Sequence, residues 1–241
     1  TDPLKQAIET LYRVFARYEV PSQIDAADEG EAQALQRQLT AVPLRDLDAK
    51  ALGDYSASAM STIDGSEMYR HFLPRILEFG LERSIDLGSE PFIIAHKLEY
   101  GEWRTWPQDE QDAVTRFFYM AWEYRLEDEH VDPDWLLGIA RAGLDVDRVL
   151  ETWQQNRSRG ALLKSAHMIG DDIGRIRGEV ILEGPYWDEI AIDLRRRITA
   201  WLLMPERRAR FVAALTKAPG SDDHWTLEKG IATWDRLTTV P

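Results

Sequence analysis

Apolar residues recur along most of the chain at the spacing of an amphipathic α-helix. The first segment shows the pattern best, because Leu4, Ile8, Leu11 and Phe15 form one stripe at intervals of three or four residues. Pro3 lies near the first position of this segment, where a missing backbone N–H costs little. The pattern therefore predicts a helix that begins at the start of the chain and buries one face.

The same period continues toward the C-terminus and predicts an all-α fold. Pro74 interrupts the pattern of residues 61–84 and is expected to kink or split that helix. The sequence "EVIL" at 179–182 is the only plausible strand. We therefore expect an irregular array of about eleven or twelve helices, either globular or solenoid-like with stacked helical hairpins. The other helices are expected at about 30–40, 48–60, 91–100, 107–126, 133–142, 146–157, 160–175, 187–203, 205–217 and 224–237.

The chain is expected to form a single helical domain over residues 1–241. No residue pattern recurs at a period of 30–45, and no linker rich in Gly, Ser or Pro separates two halves. No apolar run approaches the roughly 20 residues that a membrane-spanning helix needs, and the N-terminus lacks the pattern of a secretory signal. The absence of cysteine fits a reducing compartment, so we expect a soluble, cytoplasmic protein.

The distribution of charge along the chain indicates which class of partner it can bind. The net charge is −13, but seven basic residues stand against two acidic ones between 193 and 217, which makes that segment +5 and the remainder −18. An acidic body repels the phosphates of nucleic acid and attracts a basic protein. The arginines of residues 195–210 form a predicted basic ridge. This ridge can bind an anionic partner or pair with the chain's own acidic regions, and the second interpretation is favoured.

The segment "EWRTWP" places an arginine between two tryptophans. Trp103, Arg104 and Trp106 could form an aromatic pocket that binds a cationic or planar ligand. Alternatively, the two indoles seal the edge of a core, as large side chains with a small polar part usually do; this interpretation is favoured. Thr105 and Gln108 have the spacing of a capping box, which predicts that Thr105 caps the helix that follows.

The best candidate for catalysis is the segment "HMIGDDIGRIRGE". His167 and Asp171 are four residues apart, so they share a face of a helix, and Asp172 is adjacent. One imidazole and two carboxylates can hold a divalent metal, which would suit a metal-assisted hydrolase. The structural alternative pairs Asp171 with Arg175 at the same spacing, and it is favoured. No metal or other cofactor is therefore expected.

Elsewhere the sequence contains no recognisable catalytic or metal-binding motif. Consecutive histidines are at least 25 residues apart, and no HExxH, GxSxG, P-loop or GxGxxG pattern occurs. His96 lies four residues from both Phe92 and Tyr100, so it is expected to be half-buried in the core. An enzyme is therefore not the favoured class.

Four segments of the first half carry a family resemblance: "LYRVFARY" (11–18), "PLRDLDAKALGDYSASAM" (43–60), "YRHFLPRILE" (69–78) and "GEWRTWP" (101–107). They resemble a family of uncharacterised bacterial α-helical proteins with no assigned activity, most clearly over residues 5–125. Many of those relatives have a cysteine cluster in the loop after the first helix. Here that loop, "IDAADEGEAQ", has none. The resemblance therefore implies no function, and it puts any metal or redox role in doubt for this chain.

Three functions from different classes remain open. The favoured one is a soluble, acidic helical protein that acts by binding another protein, in particular a basic one. One form of it is an antagonist, such as an immunity-type protein that blocks a nuclease toxin. The alternatives are the metal-assisted hydrolase and a small-molecule binder that uses the aromatic pocket near Trp103 and Trp106.

Overall fold

The computed structural model describes residues 2–20, 22, 24, 29–59, 66–82, 88–128, 130–217 and 223–239. Within these residues the chain forms twelve α-helices and one two-stranded antiparallel sheet, which confirms the predicted all-α fold. No helix in the same residues is both long enough and apolar enough to cross a membrane. The helices are α1 (Pro3–Phe15), α2 (Glu29–Leu39), α3 (Ala49–Ser58), α4 (Ser66–Glu82), α5 (Pro91–Tyr100), α6 (Gln108–Glu127), α7 (Asp134–Arg141), α8 (Val146–Gln155), α9 (Arg159–Asp171), α10 (Ile192–Leu202), α11 (Pro205–Lys217) and α12 (His224–Thr238).

The chain divides into two compact units, Thr1–Ala121 and Trp122–Pro241. The division falls inside α6, which is continuous from Gln108 to Glu127. This division does not decide whether the units fold as one domain, so the expectation of a single domain stays a prediction.

Packing of α1 against α4 organises the first unit. Asp2 begins α1 by accepting a hydrogen bond from the amide of Leu4 at 3.0 Å. Helix α4 runs without a break through Pro74, so the predicted split does not occur. Phe72 and Ile76 on either side of the proline are fully buried. Their burial holds the helix together and outweighs the loss of one backbone hydrogen bond.

Three tryptophans pack one on another in the second unit. The ring centroids of Trp122 and Trp153 are 5.1 Å apart, and those of Trp153 and Trp201 are 4.8 Å apart. Helices α9 and α12 also pack closely. A Cβ atom built on Gly230 of α12 would lie 2.8 Å from the carbonyl oxygen of Ala166 in α9. The glycine therefore sets how closely these two helices approach.

A β-hairpin follows α9 and corrects the predicted end of that helix. Strands β1 (Ile173–Ile176) and β2 (Glu179–Leu182) pair antiparallel, so β2 is the strand that the sequence predicts. Helix α9 ends at Asp171, and the prediction that it continues to 175 is wrong. The turn between the strands places Arg177 at φ 50° and Gly178 at φ 87°. Two successive positive φ values are typical of a type I′ turn, which closes a two-residue hairpin.

Candidate functional site

The two tryptophans of the "EWRTWP" segment belong to the core of the first unit. Trp103 and Trp106 are only 2% and 3% exposed. The indole N–H of Trp106 donates to the carbonyl of Gly101 at 2.9 Å, and its ring meets Phe15 edge-on with centroids 6.2 Å apart. Arg104 is exposed, and its guanidinium carbon lies 4.1 Å from the centroid of the Trp103 ring. The two indoles are thus part of the core, and Trp106 anchors the backbone at Gly101. Of the three candidate residues, only Arg104 is exposed to solvent.

The backbone between α5 and α6 is fixed by a set of hydrogen bonds. Glu102 adopts a left-handed conformation with φ 51°, which costs a non-glycine residue about 1–3 kcal/mol. Both the amide and the hydroxyl of Thr105 donate to the carbonyl of Glu102 at 2.8 Å. The amide of Glu102 donates to the carbonyl of Glu99 at 2.9 Å. These bonds hold Glu102 in a conformation that it would rarely adopt in a free chain.

The capping box predicted for Thr105 and Gln108 does not form. The hydroxyl of Thr105 is engaged by Glu102, and α6 begins only at Gln108. The side-chain amide of Gln111 instead donates to the carbonyls of Trp106 at 2.8 Å and Arg104 at 3.1 Å. A glutamine from inside the helix therefore anchors the chain that leads into it.

Residues 99–102, here named the acidic turn, place an exposed aromatic residue between two glutamates in the sequence. Tyr100 is 71% exposed, and Glu99 and Glu102 are exposed on either side of it. A phenol ring offers a flat, largely apolar surface with a polar end, and tyrosine is enriched at protein interfaces for that reason. The neighbouring carboxylates favour a partner that carries lysine or arginine.

A fully buried carboxylate lies in the first turn of α6, close to the same segment. Glu110 is 0% exposed and accepts a hydrogen bond from the hydroxyl of Tyr18 at 2.8 Å. Its other neighbours are the guanidinium groups of Arg17, at 3.5 Å, and Arg70, at 4.0 Å. Arg70 also donates to the Tyr18 hydroxyl at 2.8 Å, and its guanidinium carbon lies 4.3 Å from the Trp106 ring centroid. The cluster therefore joins the segment after α1 to α4 and α6 around one buried charge.

Sequence reasoning missed this cluster. Tyr18 is 92 residues from Glu110, so no local spacing brings them together. The sequence does show an acidic residue in the first turn of an amphipathic helix. An exposed glutamate that interacts favourably with the helix dipole gives the same pattern, so the pattern does not indicate a buried charge.

The proposed metal ligands of the second unit lie near one another but not as a metal site. The Nδ1 atom of His167 is 3.2 Å from a carboxylate oxygen of Asp171, as their spacing on a helix predicts. Asp171 is also paired with Lys229, whereas Asp172 accepts a hydrogen bond from the indole of Trp187 at 3.3 Å. In the described residues no group of three or more histidine, aspartate or glutamate side chains could hold a metal ion.

One prediction for this region is wrong, and the pKa of Asp172 is a feature that the sequence did not indicate. Arg175 lies in β1 rather than in a helix, and it donates to the carbonyl of Leu237 at 2.9 Å, so it is not the partner of Asp171. Burial raises the pKa of Asp172 to about 6, opposed by its hydrogen bond to Trp187 and by the nearby His167. A buried carboxyl group of this kind is a frequent structural feature as well as a catalytic one.

The arginines of residues 195–210 turn toward the chain's own acceptors. Arg207 is buried, and it donates to the carbonyl of Trp201 at 2.8 Å and to the side chain of Gln154 at 2.6 Å. This arrangement supports the interpretation that the predicted basic ridge pairs with the chain itself. The ion pairs are Arg195 with Asp188 at 2.7 Å, Arg196 with Glu179 at 2.5 Å, Arg197 with Asp147 at 2.7 Å and Arg208 with Asp235 at 2.5 Å.

His96, by contrast, is exposed, so its predicted place in the core is wrong. The apolar face of α5 is formed by Phe92, Ile94, Ala95 and Leu98. These residues cover one side of α5, and His96 lies on the other side, four residues before the exposed Tyr100.

Comparison with known proteins adds no family to this picture. No protein-family model matches the chain, and no curated protein or solved structure has significant similarity to it.

Proposed function

We propose that this chain is a protein-binding module that recognises a basic surface on its partner through the acidic turn. The observation that carries the proposal is Tyr100, an exposed aromatic residue set between Glu99 and Glu102. Such a residue can pack against the apolar stem of a lysine or arginine while the carboxylates bind the charged end. An antagonist of the immunity type, which covers a basic surface of a toxin, is one form of this function.

The rigidity of the acidic turn supports the proposal. A binding segment that is ordered before it meets its partner avoids much of the conformational entropy cost of association. The positive φ of Glu102 is maintained by Thr105, and the carbonyl of Gly101 is anchored by the indole of Trp106. Strained, well-supported backbone of this kind concentrates at ligand-binding and switch regions, so the buried tryptophans have a supporting role at the surface that they hold in place.

Charge at longer range supports the same partner. Among the described residues, the buried charged side chains are Glu110, Lys164 and Arg207, so the surplus that makes the net charge −13 lies at or near the surface. A field of this sign accelerates encounter with a basic protein and disfavours nucleic acid. The two alternatives receive less support, because His167, Asp171 and Asp172 form no group that could hold a metal and both indoles of the aromatic pocket are buried.

Site-specific photocrosslinking in the native host tests this function. A photoreactive phenylalanine analogue is placed at Tyr100, and at Trp225 in a control protein, since Trp225 is also exposed, at 64%, but lies far along the chain in α12. We expect a discrete crosslinked species from position 100 alone. It should contain a basic protein and should weaken in high salt.

A charge variant completes the experiment. Glu99→Gln with Glu102→Gln removes the carboxylates and keeps the size of both side chains, so the crosslink from position 100 should be lost. If position 100 yields no discrete product, or the same products as position 225, the proposed function is wrong.

A further inference from the structure

A cleft between α9, α11 and α12 lies within the second unit. Its volume is about 420 Å³, within the range of about 300–1,000 Å³ that small-molecule sites occupy. The walls are apolar and the rim is charged. The apolar lining is Leu162, Leu163, Ala213, Ala214 and Leu227, and the charged residues are Arg157, Arg159, Arg210, Lys217 and Asp223.

Three of the four cations on this rim have no carboxylate partner among the residues that the structure describes. Arg159 forms an ion pair with Asp223. Arg157 and Lys217 are exposed, and no carboxylate of the described residues pairs with either of them. Arg210 is half-buried and donates to the carbonyl of Asn156 at 3.3 Å, which is an uncharged partner.

This lack of pairing stands out against the neighbouring arginines. Arg195, Arg196, Arg197 and Arg208 each have a carboxylate partner, in a chain whose carboxylates outnumber its cations by 13. Burial, and then the positive charge of Arg157, lower the pKa of Arg210. The described part of the chain thus holds positive charges together beside an apolar cleft, and none of its carboxylates pairs with Arg157, Arg210 or Lys217.

We propose that this cleft binds a small organic phosphate, with its phosphate at Arg157, Arg210 and Lys217 and its apolar part between α9 and α11. Three cations that pair with no described carboxylate match a phosphate dianion better than a single carboxylate, and arginine binds phosphate through two parallel hydrogen bonds. The leucine and alanine walls suit the base of a nucleotide or the alkyl chain of a lipid-like phosphate equally. The site is independent of the acidic turn.

Calorimetric titration of the full chain tests the site with three probes: inorganic phosphate, adenosine monophosphate and hexyl phosphate. We expect one of the two organic phosphates to bind at least about tenfold more tightly than inorganic phosphate, because the cleft buries its apolar part. Which of the two binds identifies the source of the ligand. Equal affinity for all three probes, or no binding of any, would overturn the proposal.

Matched charge variants separate a site from general attraction. Arg157→Gln with Lys217→Gln should weaken the organic phosphate at least about tenfold. Lys5→Gln with Arg236→Gln removes the same charge from exposed positions that do not line the cleft, and its affinity should stay within about twofold of the parent chain. Equal losses in both double variants would show that no localised site exists.

A cleft-filling variant tests the apolar part. Ala213 is exposed on the lining, so Ala213→Trp adds bulk there without disturbing the core. The advantage of the organic phosphate over inorganic phosphate should disappear in this variant. If that advantage persists, the ligand does not occupy the cleft.

Discussion

At the scale of single residues, the most constrained positions are charges removed from water. Burial of a carboxylate costs several kcal/mol unless donors and opposite charges surround it. Glu110 is compensated mainly by charge, because the guanidinium groups of Arg17 and Arg70 lie near it while only one of its oxygens accepts a hydrogen bond, from Tyr18. Asp172 accepts a hydrogen bond from Trp187. The two residues therefore lead to different predictions.

Replacement of Glu110 should destabilise the protein strongly. Glu110→Ala leaves two guanidinium groups near a site without their anion, and we expect a loss of about 3–5 kcal/mol in the free energy of unfolding. Glu110→Gln keeps an acceptor for Tyr18 and should lose less. Urea denaturation followed by circular dichroism measures both.

The neighbouring residue provides the control. Asp109 also pairs with Arg17, but its side chain is 51% exposed. Asp109→Asn should therefore cost about 1 kcal/mol or less. Similar losses for Glu110→Ala and Asp109→Asn would show that the buried cluster has no special role.

The raised pKa of Asp172 makes stability depend on pH. Burial raises this pKa to about 6, above the value near 4 expected in an unfolded chain. Between these values the folded state retains a proton that the unfolded state has lost, so stability from this group falls as pH rises from about 4 to about 6. Asp172→Asn removes the titration and keeps an acceptor for the Trp187 indole.

We therefore expect Asp172→Asn to be more stable than the parent at neutral pH, by about 1–3 kcal/mol, and to lose that advantage near pH 4. Unfolding free energies of both proteins, measured across this range, test the sign. A difference that does not change with pH would contradict a raised pKa.

At the scale of elements, glycine decides where two helices approach and where the chain turns back. Gly230 brings α12 against α9, and Gly178 with φ 87° closes the hairpin between β1 and β2. Gly170 also faces α12, but the nearest atom to a Cβ built there is Cγ of Lys229 at 3.1 Å. A flexible side chain can move aside, whereas the backbone of Ala166 cannot.

Alanine at the two interface glycines should thus have opposite effects. Alanine in a helix is favoured over glycine by up to about 1 kcal/mol, which should make Gly170→Ala neutral or stabilising. At Gly230 the added carbon lies 2.8 Å from the carbonyl oxygen of Ala166. We expect Gly230→Ala to lose about 1–3 kcal/mol because the helices must separate. Thermal unfolding of the two variants measures both effects. Equal changes in the two variants would show that the close approach of α12 to α9 at Gly230 does not contribute to stability.

Helical elements could be predicted from the sequence because their signals are local. The stripe of α1 and the proline at the start of α5 fix those helices within a few residues. The end of α9 was missed because Asp171 and Arg175 have helical spacing, while the hairpin depends on Arg177 accepting a positive φ. Asparagine or aspartate before glycine is the usual sign of such a turn, and arginine is not.

The orientation of the side chains around the acidic turn could not be predicted from local sequence either. The sequence identifies Trp103, Arg104 and Trp106 as notable but cannot show that the indoles point inward. That outcome depends on Phe15 and Arg70, which come from α1 and α4. Nor does any pattern predict that Glu102 takes φ 51°, since the hydrogen bonds from Thr105 form only in the folded turn.

At the scale of the whole molecule, charge opposes folding. A net charge of −13 repels itself, while exposed ion pairs such as Arg45 with Glu9 and Arg197 with Asp147 contribute about 0–1 kcal/mol each. Salt screens both the repulsion between the surplus acids and the attraction within the exposed ion pairs. We expect repulsion to dominate, because the surplus acids interact at long range and the exposed pairs are already weakened by water.

Stability should consequently rise with ionic strength. Between about 0.01 M and 0.1 M chloride the screening length falls from about 30 Å to about 10 Å, and a gain of about 1 kcal/mol would raise the midpoint of thermal unfolding by about 2–4 °C. Lys5→Gln with Arg236→Gln makes the chain more negative at exposed positions, so its midpoint should respond more steeply to salt. A midpoint that falls as chloride is added would mean that ion pairs, not surplus acids, govern the charge balance. In that case the long-range attraction proposed for a basic partner would lose its main support.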